Sequence, residues 1–234
     1  GIAQVCAQAG YPTIISDVSD ALINKGLSSI KSNLEKTVAK GKMSEGDKDA
    51  TLGRLKGTTN MEDLKDCDFV IEAVNEDMEL KRKIFASLDN ICPKHAILST
   101  NTSSLSVIHI ARATNRMQQV VGTHFFSPVP VMRLVEVVRT VASSDESVDI
   151  TKKFCESIGK TVILAKDTPG FVVNRIFIPF LWDAVRAYES GVATKEDIDN
   201  GMVLGCNHPI GPLALIDLLG LDTVLDVANS IYEE

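Results

Sequence analysis

The sequence predicts an α/β protein: a mostly parallel sheet covered by helices on both faces, followed by a smaller all-helical domain. Three observations carry this reading. Short apolar runs alternate with helix-like segments through the first three-quarters of the chain, as expected for strands buried on both faces. The alternation stops at the turn-forming run Asp167-Thr168-Pro169-Gly170, and only helix-like segments follow. The 234 residues are enough for one medium and one small domain. Residues 1–168 and 169–234 are therefore read as the two domains.

Residues 3–9 read as a helix already under way, and Thr13-Ile14-Ile15 as a short strand stopping at Ser16-Asp17. Leu22, Leu27, Ile30, Leu34 and Val38 then form one stripe of an amphipathic helix over residues 19–39. Residues 44–55 read as a second helix with Ser44 as its N-cap. Strands are expected at 69–74, 96–99, 119–122, 134–138 and 161–164. Helices are expected at 77–90, in a short stretch ending at Arg112, and at 146–158. Past the boundary, residues 171–190, 194–204 and 212–232 read as helices, the middle one opened by the capping pattern Thr194 to Asp197. The opening helix has no strand to feed it, and Tyr232-Glu233-Glu234 carries no stop signal. The expectation is a sheet whose first strand is missing and an incomplete helical domain.

Composition narrows the function. A net charge of −7 gives no general attraction to nucleic acid or an anionic membrane surface, so an anionic ligand needs a local basic patch. No apolar run is long enough to span a bilayer. Gly1-Ile2-Ala3-Gln4-Val5-Cys6 lacks the basic region of a signal peptide. The five cysteines are scattered and odd in number; they read as reduced thiols in a cytoplasmic protein. No metal site is expected.

In open α/β sheets ligands bind beyond the carboxyl ends of the strands. Asp17 ends the first strand, where an acid suits the ribose hydroxyls of NAD and repels the 2′-phosphate of NADP; it is equally an ordinary turn residue. Glu76 and Lys81 follow the next strand; Lys81, near the start of the next helix, can reach over the sheet edge, or the two form a solvated pair at a helix start. Asn101-Thr102-Ser103-Ser104 places several donors and acceptors after the strand at 96–99, suited to a substrate oxygen or a carboxamide, or to a plain helix cap. His124 sits in the apolar, proline-stiffened run Thr123-His124-Phe125-Phe126-Ser127-Pro128-Val129-Pro130, partly desolvated and suited to take a proton. Glu136 lies within Leu134-Val135-Glu136-Val137-Val138, where a carboxylate is costly unless paired. An imidazole is a natural partner, and a His–Glu pair is the orienting half of a general-base device.

These segments together resemble the L-3-hydroxyacyl-CoA dehydrogenase family, especially its short bacterial 3-hydroxybutyryl-CoA members. The resemblance spans the whole chain. It is carried by Ser99-Thr100-Asn101-Thr102-Ser103-Ser104-Leu105, by Gly122-Thr123-His124-Phe125-Phe126-Ser127-Pro128-Val129-Pro130-Val131-Met132 and by Leu134-Val135-Glu136-Val137. Lys166-Asp167-Thr168-Pro169-Gly170-Phe171-Val172-Val173-Asn174-Arg175 and His208-Pro209-Ile210-Gly211-Pro212 extend it into the second domain. It implies a Rossmann-like first domain, NAD as cofactor and an acyl-CoA substrate. His124 would take the 3-hydroxyl proton as hydride passes to NAD, and Glu136 would hold the imidazole. Ser103 would bind the substrate oxygen beside the nicotinamide, and Asn174 would complete the polar set. Asp17 would hold the adenosine ribose, with Glu76, Lys81 and Asn101 also on the cofactor. Lys40 would meet the CoA phosphates, in keeping with the cluster Lys31, Lys36, Lys40 and Lys42, which is otherwise an ordinary solvated face. The helical domain would form a homodimer interface and close one wall of the acyl site.

Two other readings stay open: a non-catalytic, crystallin-like relative, and a dehydrogenase of a 3-hydroxy acid without CoA. The family's glycine fingerprint, which brings a pyrophosphate to a helix N-terminus, does not precede Gly1. A molecule opening there is expected to bind NAD weakly and turn over little.

Overall fold

The computed structural model describes residues 1–233. Two compact units emerge, one of residues 1–102 and 107–166, the other of 103–106 and 167 onward.

The first unit opens with α1 (Ile2–Gln8) and β1 (Thr13–Ser16). Next comes α2 (Asp20–Ala39), capped by the Ser19 side chain and burying Ile23, Ile30 and Leu34 along one stripe. α3 (Glu45–Gly53) is capped by Ser44, whose Oγ accepts from Asp47 N at 3.0 Å. β2 (Leu55–Thr58) runs parallel to β1. The expected helix at 44–55 thus stops two residues early, and its last residue begins a strand that was not expected. Leu55-Lys56-Gly57-Thr58 is polar and holds a glycine, so no apolar run marks it. That glycine is needed, because a Cβ on Gly57 would lie 2.2 Å from Ile23 Cγ2 of α2.

β3 (Phe69–Glu72), α4 (Met78–Ile91), β4 (Ile97–Thr100) and α5 (Val107–Ala111) follow. β5 (Val120–Phe125), β6 (Leu134–Arg139), α6 (Asp145–Ser157) and β7 (Thr161–Lys166) complete the unit. The strands form a pair, β1-β2, and a five-stranded sheet in the order β3-β4-β5-β6-β7. Among the described residues β1 pairs only with β2, and the outer edge of β3 pairs with no strand. All ladders are parallel except β5 with β6. The reason is length: only residues 126–133 join those strands, and a parallel crossover needs about a dozen or more. The core on this sheet includes Val121, Val135, Val137, Val148 and Ile158.

The second unit carries α7 (Val173–Glu189), α8 (Lys195–Asn200), a π-helical turn at Gly201–Gly205, α9 (Pro212–Leu219) and α10 (Leu221–Glu233). α7 begins later than expected, because Gly170 and Phe171 have φ of +71° and +50° and cannot continue a right-handed helix. A Cβ on Gly170 would also meet Arg175 N at 2.8 Å. The expected helix at 212–232 is two helices, broken where Gly220 takes φ +93°. The apolar spacing runs through that break, so the pattern alone did not reveal it. Leu181, Ala184, Leu213, Ile216 and Val224 lie in this unit's core.

Candidate active site

The antiparallel ladder between β5 and β6 brings two of the candidate residues together. In its register His124 stands opposite Glu136, and cross-strand neighbours lie on the same face of the sheet. His124 Nδ1 and Glu136 Oε2 are 2.7 Å apart. The imidazole is 5% exposed and Glu136 0%. An ionised carboxylate only accepts, so Nδ1 carries the proton and donates it to Glu136. That tautomer puts the imidazole lone pair on Nε2. Phe126 packs beside the ring with centroids 4.6 Å apart. Asn101 Oδ1 accepts from Phe125 N at 2.9 Å, which ties the end of β4 to the residue after His124. The loop between β5 and β6 is clamped by Lys160, whose Nζ donates to Val129 O at 2.5 Å and Met132 O at 2.8 Å. Burial lowers the pKa of this lysine.

A second polar network lies at the carboxyl ends of β3 and β4. Lys81, on the first turn of α4, is 1% exposed and reaches Glu72 at 2.8 Å and Glu76 at 3.3 Å. Glu72 also accepts from Val74 N and from Thr100 Oγ1, each at 2.7 Å. Thr102 Oγ1 donates to Glu76. Lys81 is therefore buried within charges, and the alternative of a solvated pair does not describe it. Glu72 escaped the sequence reading, although it carries the signal that revealed Glu136: a carboxylate within an apolar run.

The remaining candidates fall as follows. Asp17 lies just past β1, exposed, its Oδ1 accepting from Val18 N at 2.7 Å. Lys40 is the exposed C-cap residue of α2, with Lys31, Lys36 and Lys42 also exposed. In the second unit Asn174, on the first turn of α7, donates from Nδ2 to Ser103 O at 3.4 Å. Asp17, Glu76 and Asn101 all sit at the carboxyl ends of parallel strands of the first unit. An exposed carboxylate past the first strand suits ribose hydroxyls, so these residues fit a bound dinucleotide.

A mostly parallel sheet with polar and acidic residues past its strand ends and a buried histidine–carboxylate pair fits the class of NAD-dependent dehydrogenases. Comparison with known proteins makes this particular. The family description "3-hydroxyacyl-CoA dehydrogenase, NAD binding domain" matches residues 1–168, and "3-hydroxyacyl-CoA dehydrogenase, C-terminal domain" matches 170–234. A 3-hydroxybutyryl-CoA dehydrogenase of Clostridioides difficile is 47% identical over 234 residues, covering 100% of this chain and 83% of the relative. The mitochondrial hydroxyacyl-coenzyme A dehydrogenase of Rattus norvegicus is 40% identical, covering 100% of this chain and 76% of the relative. The crystal structure of (S)-3-hydroxybutyryl-CoA dehydrogenase from Ralstonia eutropha superposes with a TM-score of 0.98 at 45% identity, covering 100% of this chain and 82% of that one. The chain belongs to the 3-hydroxyacyl-CoA dehydrogenase family, and its cofactor is NAD.

Proposed function

We propose that this enzyme interconverts (S)-3-hydroxybutyryl-CoA and acetoacetyl-CoA, with His124 as the acid/base. The observation that carries the reading is the buried His124–Glu136 pair, 2.7 Å apart in direct cross-strand register. In the oxidative direction His124 Nε2 takes the proton from the 3-hydroxyl as the C3–H bond breaks and the carbonyl forms. NAD, when bound, accepts the hydride. Glu136 keeps the proton on Nδ1 beforehand and offsets the charge of the imidazolium afterwards. In the reductive direction the same proton returns to the 3-oxygen. Ser103 and Asn174 hold the substrate oxygen, and Lys40 with its neighbouring lysines meets the CoA phosphates. Asp17 holds the adenosine ribose, while Glu76, Lys81, Asn101 and Ser103 serve the cofactor.

The division of labour follows the two domains, residues 1–168 for NAD and 169–234 for substrate and self-association. Ile176, Leu204, Leu218 and Leu221 are exposed apolar residues of the helical unit, which supports a homodimer through that unit. Among the described residues no helix is long and apolar enough to cross a membrane. The free cysteines accord with a cytoplasmic setting, and the net charge of −7 gives no general attraction to nucleic acid or an anionic membrane.

The test is substrate discrimination in the intact enzyme. NADH oxidation is followed with acetoacetyl-CoA and with free acetoacetate. The expected result is a much higher kcat/KM for the CoA ester, lowered by Lys40→Ala through KM. Equal use of the free acid would favour a dehydrogenase without CoA, and no turnover of either would favour a structural relative.

A further inference from the structure

Glu72 is the last residue of β3 and stands in register with Thr100, the last residue of β4. Its carboxylate accepts three hydrogen bonds, from Val74 N, Lys81 Nζ and Thr100 Oγ1. Its main-chain oxygen accepts from Asn101 N at 2.8 Å. One residue thus fixes the turn after β3, the first turn of α4 and the exit from β4. Both Glu72 and Lys81 have side chains only 1% exposed, whereas Glu76, Lys81's second carboxylate partner, is 37% exposed. The network therefore has a buried anchor and one acid turned toward solvent.

A buried ion pair is a weak source of stability, since apolar residues of similar volume often serve as well or better. Here the pair lies at the carboxyl ends of parallel strands, where an α/β sheet receives its ligand. We propose that Glu72 is a positioning residue for the dinucleotide: it holds Lys81 in place and, through Lys81, sets where Glu76 presents its carboxylate. Without the charge of Glu72, Lys81 keeps Glu76 as its sole anionic partner in this network and draws that acid inward. The inference rests on Glu76 being a cofactor contact.

NADH titration by fluorescence, thermal unfolding and the two KM values separate the possibilities in the intact enzyme. E72Q is expected to raise the NADH Kd about tenfold, the worth of one charge-assisted hydrogen bond, and to leave the KM for acetoacetyl-CoA unchanged. E76A is expected to weaken NADH as well. If E76A weakens NADH but folded E72Q binds it like the wild type, the inference fails while the role of Glu76 stands. If E76A leaves NADH binding intact, the role of Glu76 fails and takes the inference with it. A rise in both KM values by the same factor marks a general structural defect and also overturns it. Should E72Q not fold, E72D keeps the negative charge, leaves Lys81 in place and shortens the reach to Lys81 Nζ and Thr100 Oγ1. A raised NADH Kd in that variant supports the inference, and a wild-type Kd contradicts it.

Discussion

Glu136 is a carboxylate without solvent contact in a strand of valines, a placement that only a hydrogen-bonded partner makes tolerable. That expense made it legible in the sequence, together with the apolar run around His124. Their alignment was not legible, because it depends on β6 running antiparallel to β5. Glu136→Gln should keep the packing but allow the amide to donate to Nδ1, forcing the ring into the wrong tautomer. Steady-state kinetics should then show kcat down by about 10²–10⁴-fold with a smaller effect on KM. A loss in KM alone would show that Glu136 contributes only binding. The thiols give a second residue-scale prediction. Burial pushes Cys6 up to about 11 and Cys155 up to about 12, so both stay protonated and unreactive at pH 8. Cys206 is exposed. Peptide mapping after brief iodoacetamide treatment should find Cys206 modified first, and equal labelling of Cys155 would contradict its burial.

Elements were legible where an apolar period and a cap coincided. Ser44 and Thr194 cap their helices as expected, each accepting from a backbone N–H three residues on. Elements were lost where a glycine carried the information. Gly57 admits β2 against α2 and Gly220 divides α9 from α10, and neither changes the apolar pattern around it. Gly211 belongs to the same class. Asp199 reaches from α8 to cap α9, accepting from Leu213 N at 2.8 Å and Ala214 N at 3.0 Å. A Cβ on Gly211 would lie 2.3 Å from Asp199 Cβ. Gly211→Ala should therefore destabilise the helical unit by about 1–3 kcal/mol, measurable by urea unfolding; an unchanged midpoint would refute the clash.

α4 supplies the pH-dependent case. Arg116 Nε donates to Asp89 Oδ1 at 2.6 Å, and Asn115 donates to Oδ2 from both its main-chain N and Nδ2 at 2.9 Å. Burial alone would raise the Asp89 pKa, but the hydrogen bonds from Asn115 and Arg116 outweigh it and hold the carboxyl below its ordinary value of 3.8. A carboxyl depressed in the folded state binds fewer protons there than in the unfolded chain. Its contribution is complete above pH 3.8 and is lost as pH falls through the folded value. Asp89→Asn should lower stability at pH 7 and flatten the loss as pH falls below 3.8 in urea melts. An acid limb as steep as in the wild type would assign that loss to other carboxylates.

At the scale of the whole molecule, the alternation of strands and helices and its end near Asp167 identify the architecture. The His124–Glu136 pair could be read because both residues are chemically out of place in their strands. The charged network after β3 could be read only in part. Glu76 and Lys81 stand out as charges after a strand, but the buried Glu72 that anchors them sits inside the run that marks β3. The central claim is that His124 moves the proton that accompanies hydride transfer. It is tested most directly by NADH oxidation with acetoacetyl-CoA in the intact enzyme, comparing the wild type with His124→Gln at matched NADH saturation. The account predicts that kcat falls by about 10²–10⁴-fold while NADH affinity is retained. A variant that turns over at the wild-type rate would contradict it.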